Sequence, residues 1–280
     1  MKLSASTLAW PSSDDSDAAA MLRAAGCDGV EVAPTRWRER PLEASAAEVA
    51  SYREWWESRG LRIVALQSLL FGRPDLQLFG NAASRAALDE HLCGMISLGR
   101  SLGAHVLVFG SPKNRLRGEL PLASAMSIAC DFFQRAGDAA ASHGLSLCIE
   151  ANPAAYGCDF VTTTAEAVEL CRRVNHPAVR INGDLGGMTI AGENPARALE
   201  DAGQWIGHFH ASEPQLAELG TAGADHASAA RGLTAIGYDG WVTIEMRDAS
   251  DTGNLSSVER AAARAKAAYG IEGRSSAPPL

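Results

Sequence analysis

The sequence predicts an α/β fold, and within that class a closed (β/α)8 TIM barrel occupying residues 1–271 as a single domain. Three observations point there. Eight short apolar runs alternate with eight helix-length stretches, the pattern of a parallel sheet covered by helices. The chain has 280 residues, 46% of them hydrophobic, which suits one barrel of about 250 residues with its loops. No glycine-rich dinucleotide fingerprint is present, which favours closure of the sheet over an open doubly wound arrangement.

Residues 2–7 form the first predicted strand, and the capping-rich run 12–17 introduces a helix over 17–26 that closes on Gly26. The second strand is 29–32 and carries Glu31. A loop over 34–41 holds Arg36, Trp37, Arg38 and Arg40, and the second helix spans 45–59 before Gly60. The third strand, 61–67, ends on Gln67. Residues 68–81 read as a long loop with aromatic and glycine content, suited to covering a site mouth. Leu88, Leu92, Met95 and Leu102 recur at helical spacing and set a helix over 82–102. The fourth strand, 105–109, leads into the polar loop 110–115, and a fourth helix spans 121–143 before Gly144. Strands five to eight are 145–150, 179–184, 206–210 and 241–245. Helices over 163–174, 194–203 and 224–236 separate them, and 256–269 forms the last. Residues 272–280 have no pattern and are expected to be disordered.

The net charge of -8 argues against a nucleic-acid partner, which calls for a basic face. No apolar run reaches membrane-spanning length, and the N-terminus lacks the apolar core of a signal peptide. The six cysteines form no CxxC pair and are expected to be reduced and mostly buried in a cytoplasmic protein. Cys148 and Cys158 are the pair to check for adventitious oxidation.

The second half of the chain carries the chemistry. Strand five ends on Glu150, strand six on Asp184, strand seven on His210 and strand eight on Glu245. In a parallel barrel all strand C-termini meet at one face, so these four groups converge. Two Glu, one Asp and one His suit a divalent cation. Carboxylates fit Mg²⁺ or Mn²⁺, and the imidazole tilts the choice toward Mn²⁺, with Co²⁺ or Zn²⁺ as alternatives. Such a cation would polarise a substrate carbonyl and acidify the neighbouring C–H. Glu150 and Glu245, on non-adjacent strands, are the natural pair to remove and return that proton. His208 and His210 are expected to divide, one pointing into the barrel and the other toward the helices. Lys113, Arg115 and Arg247 follow strand ends and either hold an anionic substrate group or are solvated charges. Glu31 is placed to meet a substrate hydroxyl. Trp10, Trp37 and Phe71 either line a pocket or only pack, and Asp225-His226 is either a polar pair near the site or the cap of the seventh helix.

The motifs Ile149-Glu150-Ala151-Asn152-Pro153, Gly183-Asp184, His208-Phe209-His210-Ala211-Ser212 and Ile244-Glu245 together resemble the sugar phosphate isomerase/epimerase family. That family has xylose-isomerase-like barrels. It includes ketose 3-epimerases, hydroxypyruvate isomerase, inosose dehydratase and, more distantly, abasic-site repair endonucleases. The resemblance follows nearly the whole chain and is specific in its second half. It implies that Glu150, Asp184, His210 and Glu245 are metal ligands and that the two Glu double as the acid–base pair. It further implies a small-molecule carbohydrate substrate and pairing into a homodimer; by their places near the predicted face, Gln67, Asn152, His208, Glu31, Lys113 and Arg247 are the candidate contacts to that substrate. The chain departs from the family at several positions. Gly187 stands where many members have a His, Glu213 where many have an Asp, and Gln67 where a His is common; no Arg follows Glu213 until Arg231.

The resulting expectation is a metal-dependent isomerase or epimerase of a sugar, sugar acid or related ketose. A dehydratase or lyase on the same barrel and a non-catalytic sugar-binding barrel are the alternatives. Abasic-site repair is disfavoured by the acidic composition and by only seven histidines.

Overall fold

Eight apolar runs become eight parallel strands: β1 Lys2–Ser6, β2 Gly29–Val32, β3 Arg62–Leu66, β4 Val106–Phe109, β5 Ser146–Glu150, β6 Val179–Asp184, β7 Ile206–Ser212 and β8 Trp241–Glu245. The computed structural model describes residues 1–247 and 255–271; the expected tail, 272–280, lies outside the described residues. The strands close into a barrel in sequence order, with β1 pairing β8 through Ser4 and Thr243. The main helices are α1 Asp15–Ala24, α2 Ala46–Glu57, α3 Ala82–Leu102, α4 Leu122–Ser142, α5 Thr164–Val174, α6 Pro195–Ala202, α7 His226–Ala235 and α8 Leu255–Tyr269.

Local chemistry explains most boundaries. Ser45 and Glu48 form a reciprocal capping box at the start of α2. Asn81 accepts from Ser84 N at the start of α3, and Gly103, at φ 84°, closes that helix in the left-handed conformation that glycine adopts without strain. Asp225 caps α7 by accepting from Ser228 N.

Three features differ from the sequence expectation. The predicted 34–41 loop contains a one-turn helix, Pro34–Trp37, with proline at its first position. A second short helix, Leu185–Ile190, follows β6 directly. Its Gly186-Gly187 pair has poor helix propensity, so only the tertiary setting fixes it. Finally, β7 continues two residues past His210 to Ser212.

The main core fills the space between strands and helices, for example where Phe109, Phe132 and Phe133 meet edge to face under α4. The barrel lumen is divided. Toward β3, β4 and β5 it is apolar, built from Val64, Ala65, Val106, Val108 and Cys148. On the other side it is polar and cross-linked: Ser4 Oγ to Thr243 Oγ1 at 2.7 Å, Thr243 to His208 Nε2 at 3.1 Å, and His208 Nε2 to Glu31 Oε2 at 2.8 Å. Buried polar groups of this kind are tolerated only when they bond one another. All six cysteines are free. Among the described residues no helix is long and apolar enough to cross a membrane.

Glu213, fully buried just past β7, gathers the following loop. It accepts from Gly220 N at 2.6 Å, Ala224 N at 3.0 Å, Ala222 N at 3.2 Å and His226 Nε2 at 3.0 Å. His226 Nδ1 in turn meets the Tyr269 hydroxyl of α8 at 2.8 Å. Asp225-His226 therefore serves the loop and the helix cap and is not part of the cavity. Replacing Glu213 by Ala removes the shared acceptor of three loop N–H groups and of His226. The expected loss is on the order of 3 kcal/mol of unfolding free energy, read by denaturant titration, with His226→Gln affected less.

Candidate active site

The C-terminal end of each of β5 to β8 delivers one group to the same point. His210 Nδ1 lies 3.1 Å from Glu245 Oε2, 3.5 Å from Glu150 Oε2 and 3.9 Å from Asp184 Oδ2. Each carboxylate is oriented by neutral donors. Asn182 and Asn152 donate to the two oxygens of Glu150 at 2.8 and 3.0 Å. Gln67 Nε2 donates to Glu245 Oε1 at 2.6 Å. Gly187 N and the Ser212 hydroxyl donate to Asp184, which also caps the Leu185–Ile190 helix. Glycine at 110, just past β4, leaves room for Glu150: a Cβ there would stand 2.7 Å from its Oε1.

Beneath these groups sits Glu31, fully buried, with its carboxylate 2.8 Å from His208 Nε2 and 3.1 Å from His210 Nε2. This places Glu31 as the carboxylate that orients His210, turning Nδ1 toward the three acids. The expected role of Glu31 as a substrate contact is corrected accordingly, and His208, equally buried, is no substrate contact either. Both histidines point into the lumen, since both bond Glu31. Residues two apart on a strand share a face, so the expectation that they divide was contrary to the strand period. Phe209 between them points outward, against Tyr269.

The acids open onto a cavity of about 610 Å³, within the range usual for small-molecule sites. Gln67, Asn152, Lys113 and Arg247 line it, together with Phe71 and Tyr156. Arg115 does not: it is buried, donating to the backbone oxygen of Glu150 at 2.6 Å, so it braces the end of β5 and cannot hold a substrate anion. Trp10 is buried against Asp15, and Trp37 stacks on Tyr52 away from this cavity. Sequence reading missed Asn182 and Ser212. Each lies two residues from Asp184 or His210 on the same strand, and that spacing was the available signal.

Electrostatics follow from the crowding. Burial, then the charges of Asp184 and Glu245, push Glu150 up to about 8. Burial and Glu245 push Asp184 up to about 6. Burial alone would lower the pKa of His210, but the charges of Glu31 and Glu245 outweigh it and hold the ring well above its ordinary value. Burial would raise Glu31, but His210 and His208 hold it below the usual carboxylate range.

The donor set fits a divalent cation. Three carboxylates meet one imidazole nitrogen, and among the described residues no Lys or Arg pairs with them. Two triads have metal-ligand spacing, Glu150–Asp184–His210 and Glu31–His208–His210. The first opens on the cavity, whereas the second is fully buried and closed by its own hydrogen bonds. The first is therefore the more open of the two, and Glu245 stands beside it, 3.1 Å from His210 Nδ1.

Groups that bind protons more tightly folded than unfolded stabilise the fold at low pH and lose that contribution as pH rises. Glu150, Asp184 and His210 are all of this kind. Without added divalent cation the protein is therefore expected to lose thermal stability as pH rises from the ordinary carboxylate range through about 8, the value to which burial pushes Glu150, with the raised His210 adding to the loss from neutral pH upward. A saturating divalent cation should flatten that slope, and its uptake at neutral pH should release more than one proton per ion into weakly buffered solution.

Comparison with known proteins agrees with this fold. Residues 19–269 match the family model described as xylose isomerase-like TIM barrel. The chain is similar to L-ribulose 3-epimerase of Methylomonas sp. (strain DH-1), with 30% identity over 158 residues, 56% of this chain. That match spans about half the length of the relative, 49%. Among solved structures, D-psicose 3-epimerase in the presence of D-fructose superposes with a TM-score of 0.81 and 21% identity, over 97% of this chain and 100% of that one. The IOLI protein with a bound zinc atom superposes at 0.73 with 18% identity, over 96% of each chain. At these identities the superpositions speak for the fold. With eight strands in sequence order, four ligand-type strand ends and a family match over residues 19–269, the chain belongs to the sugar phosphate isomerase/epimerase family of xylose isomerase-like TIM barrels.

Proposed function

We propose that the chain is a divalent-metal-dependent ketose epimerase or isomerase that moves a proton on the carbon beside the substrate carbonyl. The observation that carries this reading is the pair Glu150 and Glu245. They come from strands separated by two others, yet both carboxylates lie within 3.5 Å of the same imidazole nitrogen. Glu150, Asp184, His210 and Glu245 would hold the ion, with Mn²⁺ favoured by the mixed carboxylate–imidazole set and Mg²⁺, Co²⁺ or Zn²⁺ as alternatives. Such an ion would polarise the carbonyl and offset charge developing on its oxygen.

The remaining steps belong to side chains. One Glu takes the proton from carbon as the C–H electron pair moves toward the carbonyl. The other Glu delivers a proton to the opposite face, so that carbon inverts. Burial favours a proton resting on Glu150, and the amides of Asn152, Asn182 and Gln67 fix both carboxylates in direction. Substrate hydroxyls are assigned to Gln67 and Asn152, and Lys113 and Arg247 to the far end of the substrate. The names of the relatives, L-ribulose 3-epimerase and D-psicose 3-epimerase, support a ketose as the class.

Two measurements test the reading. Ketoses incubated with the metal-loaded protein in D₂O should gain deuterium beside the carbonyl. Glu150→Gln and Glu245→Gln, compared at saturating metal, should each slow this by ~100-fold or more. Chelation should abolish exchange, and added Mn²⁺ should restore it. Full exchange in both variants would sink the acid–base assignment.

A further inference from the structure

We propose that the substrate is not a free monosaccharide but a ketose unit carrying a second, ring-sized substituent with an apolar face. This rests on the ketose reading above and extends it to the outer half of the same cavity.

The volume gives the first argument. At about 30 Å³ per water, 610 Å³ holds about twenty waters. A six-carbon ketose has twelve non-hydrogen atoms, none needing more room than a water. Space for a further ring remains once a ketose is seated on Glu150 and Glu245.

The division of polarity gives the second. The buried inner end is lined by carboxylates and amides, suited to a polyol. The outer walls, from the loops after β3, β4 and β7, present Leu70, Phe71, Pro112 and Leu216. Phe71 is 71% exposed, the most exposed large apolar side chain among the described residues. An aromatic ring kept in water at the mouth of a polar site is a stacking platform for the face of another ring. A neutral polyol alone leaves it idle.

The third argument is that the outer walls are built in advance. Asn114, buried, donates to Leu76 O at 2.6 Å and Arg73 O at 2.8 Å, and its backbone oxygen accepts from Leu78 N at 2.8 Å. It stitches the 68–81 loop to the 110–115 loop. Across the cavity, Gln215 and Leu216 hold φ of 61° and 56°, a left-handed conformation that residues with a Cβ avoid. Gln215 N is fixed by the Tyr156 hydroxyl at 3.0 Å. Ser68, on the opposite wall, has φ 55°. Such strain persists where the surrounding structure imposes it, typically at ligand clamps. Lys113 and Arg247, which have no ion-pair partner among the described residues, add donors at the rim.

The test compares a free ketohexose, a disaccharide whose reducing unit is a ketose, and an aryl glycoside of a ketose-bearing sugar, with metal-loaded protein and with Phe71→Ala and Leu216→Ala. The readouts are deuterium exchange from D₂O and affinity by calorimetry. The proposal expects kcat/KM for a substituted ketose at least tenfold above that of the free one, with the ratio falling toward one in both variants. Preference for the glycosyl arm names a second sugar ring, and preference for the aryl arm an aromatic aglycone. Equal or better use of the free ketose, with a ratio the variants do not change, overturns the proposal and leaves the acid–base reading standing. Should no ketose exchange a proton, the acid–base reading fails, and affinity decides the subsite. Tighter binding of a substituted ketose, lost in Phe71→Ala, supports it, and equal binding overturns it.

Discussion

Three carboxylates forced to share one buried point are the constraint around which this barrel is arranged. In water they would repel only weakly, but burial strengthens the repulsion and drives protons onto Glu150 and Asp184. The protein answers with positive charge and with donors. Nδ1 of His210 stands among all three acids, and Asn152, Asn182, Gln67, Ser212 and the Gly187 amide each donate to one of their oxygens. A divalent ion at the same point would replace the positive charge of the His210 ring and the extra protons together.

The divided lumen serves that arrangement. His210 needs a fixed ring direction, and Glu31 supplies it from the far side of the barrel, anchored in turn by His208, Thr243 and Ser4. A fully apolar lumen would pack more simply but would leave Nε2 of His210 without a partner. A fully polar one would lose the packing that Val106, Val108 and Cys148 provide beneath Glu150. The two halves meet under the C-terminal ends of the strands, so one supports the His210 side of the cluster and the other the Glu150 side.

The loops extend the same logic outward. Strand ends hold the three acids and His210 in place because a closed sheet has no free edge to relax. The cavity walls come from the loops after β3, β4 and β7, held by side chains rather than by the sheet: Asn114 joins the first two, and Glu213 and Tyr156 hold the third. Keeping the floor while altering the walls is how one barrel can serve different substrates. The substitutions at Gln67 and Gly187, close to the floor, keep this division. Gln67 still donates to Glu245, and Gly187 serves Asp184 through its backbone.

The sequence by itself determined the barrel and its four ligand-type strand ends. Apolar runs of strand length, capping residues and glycine stops are local signals, and β2, β6, β8 and α3 fall where those signals put them. Strand ends of a parallel barrel converge whatever the loops do, which is why Glu150, Asp184, His210 and Glu245 could be named together. Direction and depth were decided only by the tertiary structure. Glu31 and Arg115 look like site residues by position, yet the register of β2 against β3 and the path of the 110–115 loop bury both. The helix at Leu185–Ile190 depends on an Asp184 cap and on contacts that Gly186 and Gly187 cannot signal locally. Whether a strand-end side chain faces the cavity, braces a neighbour or fills the lumen is set by contacts across the barrel. Between Glu31 and His210 those contacts join residues 179 positions apart, beyond the reach of any local pattern.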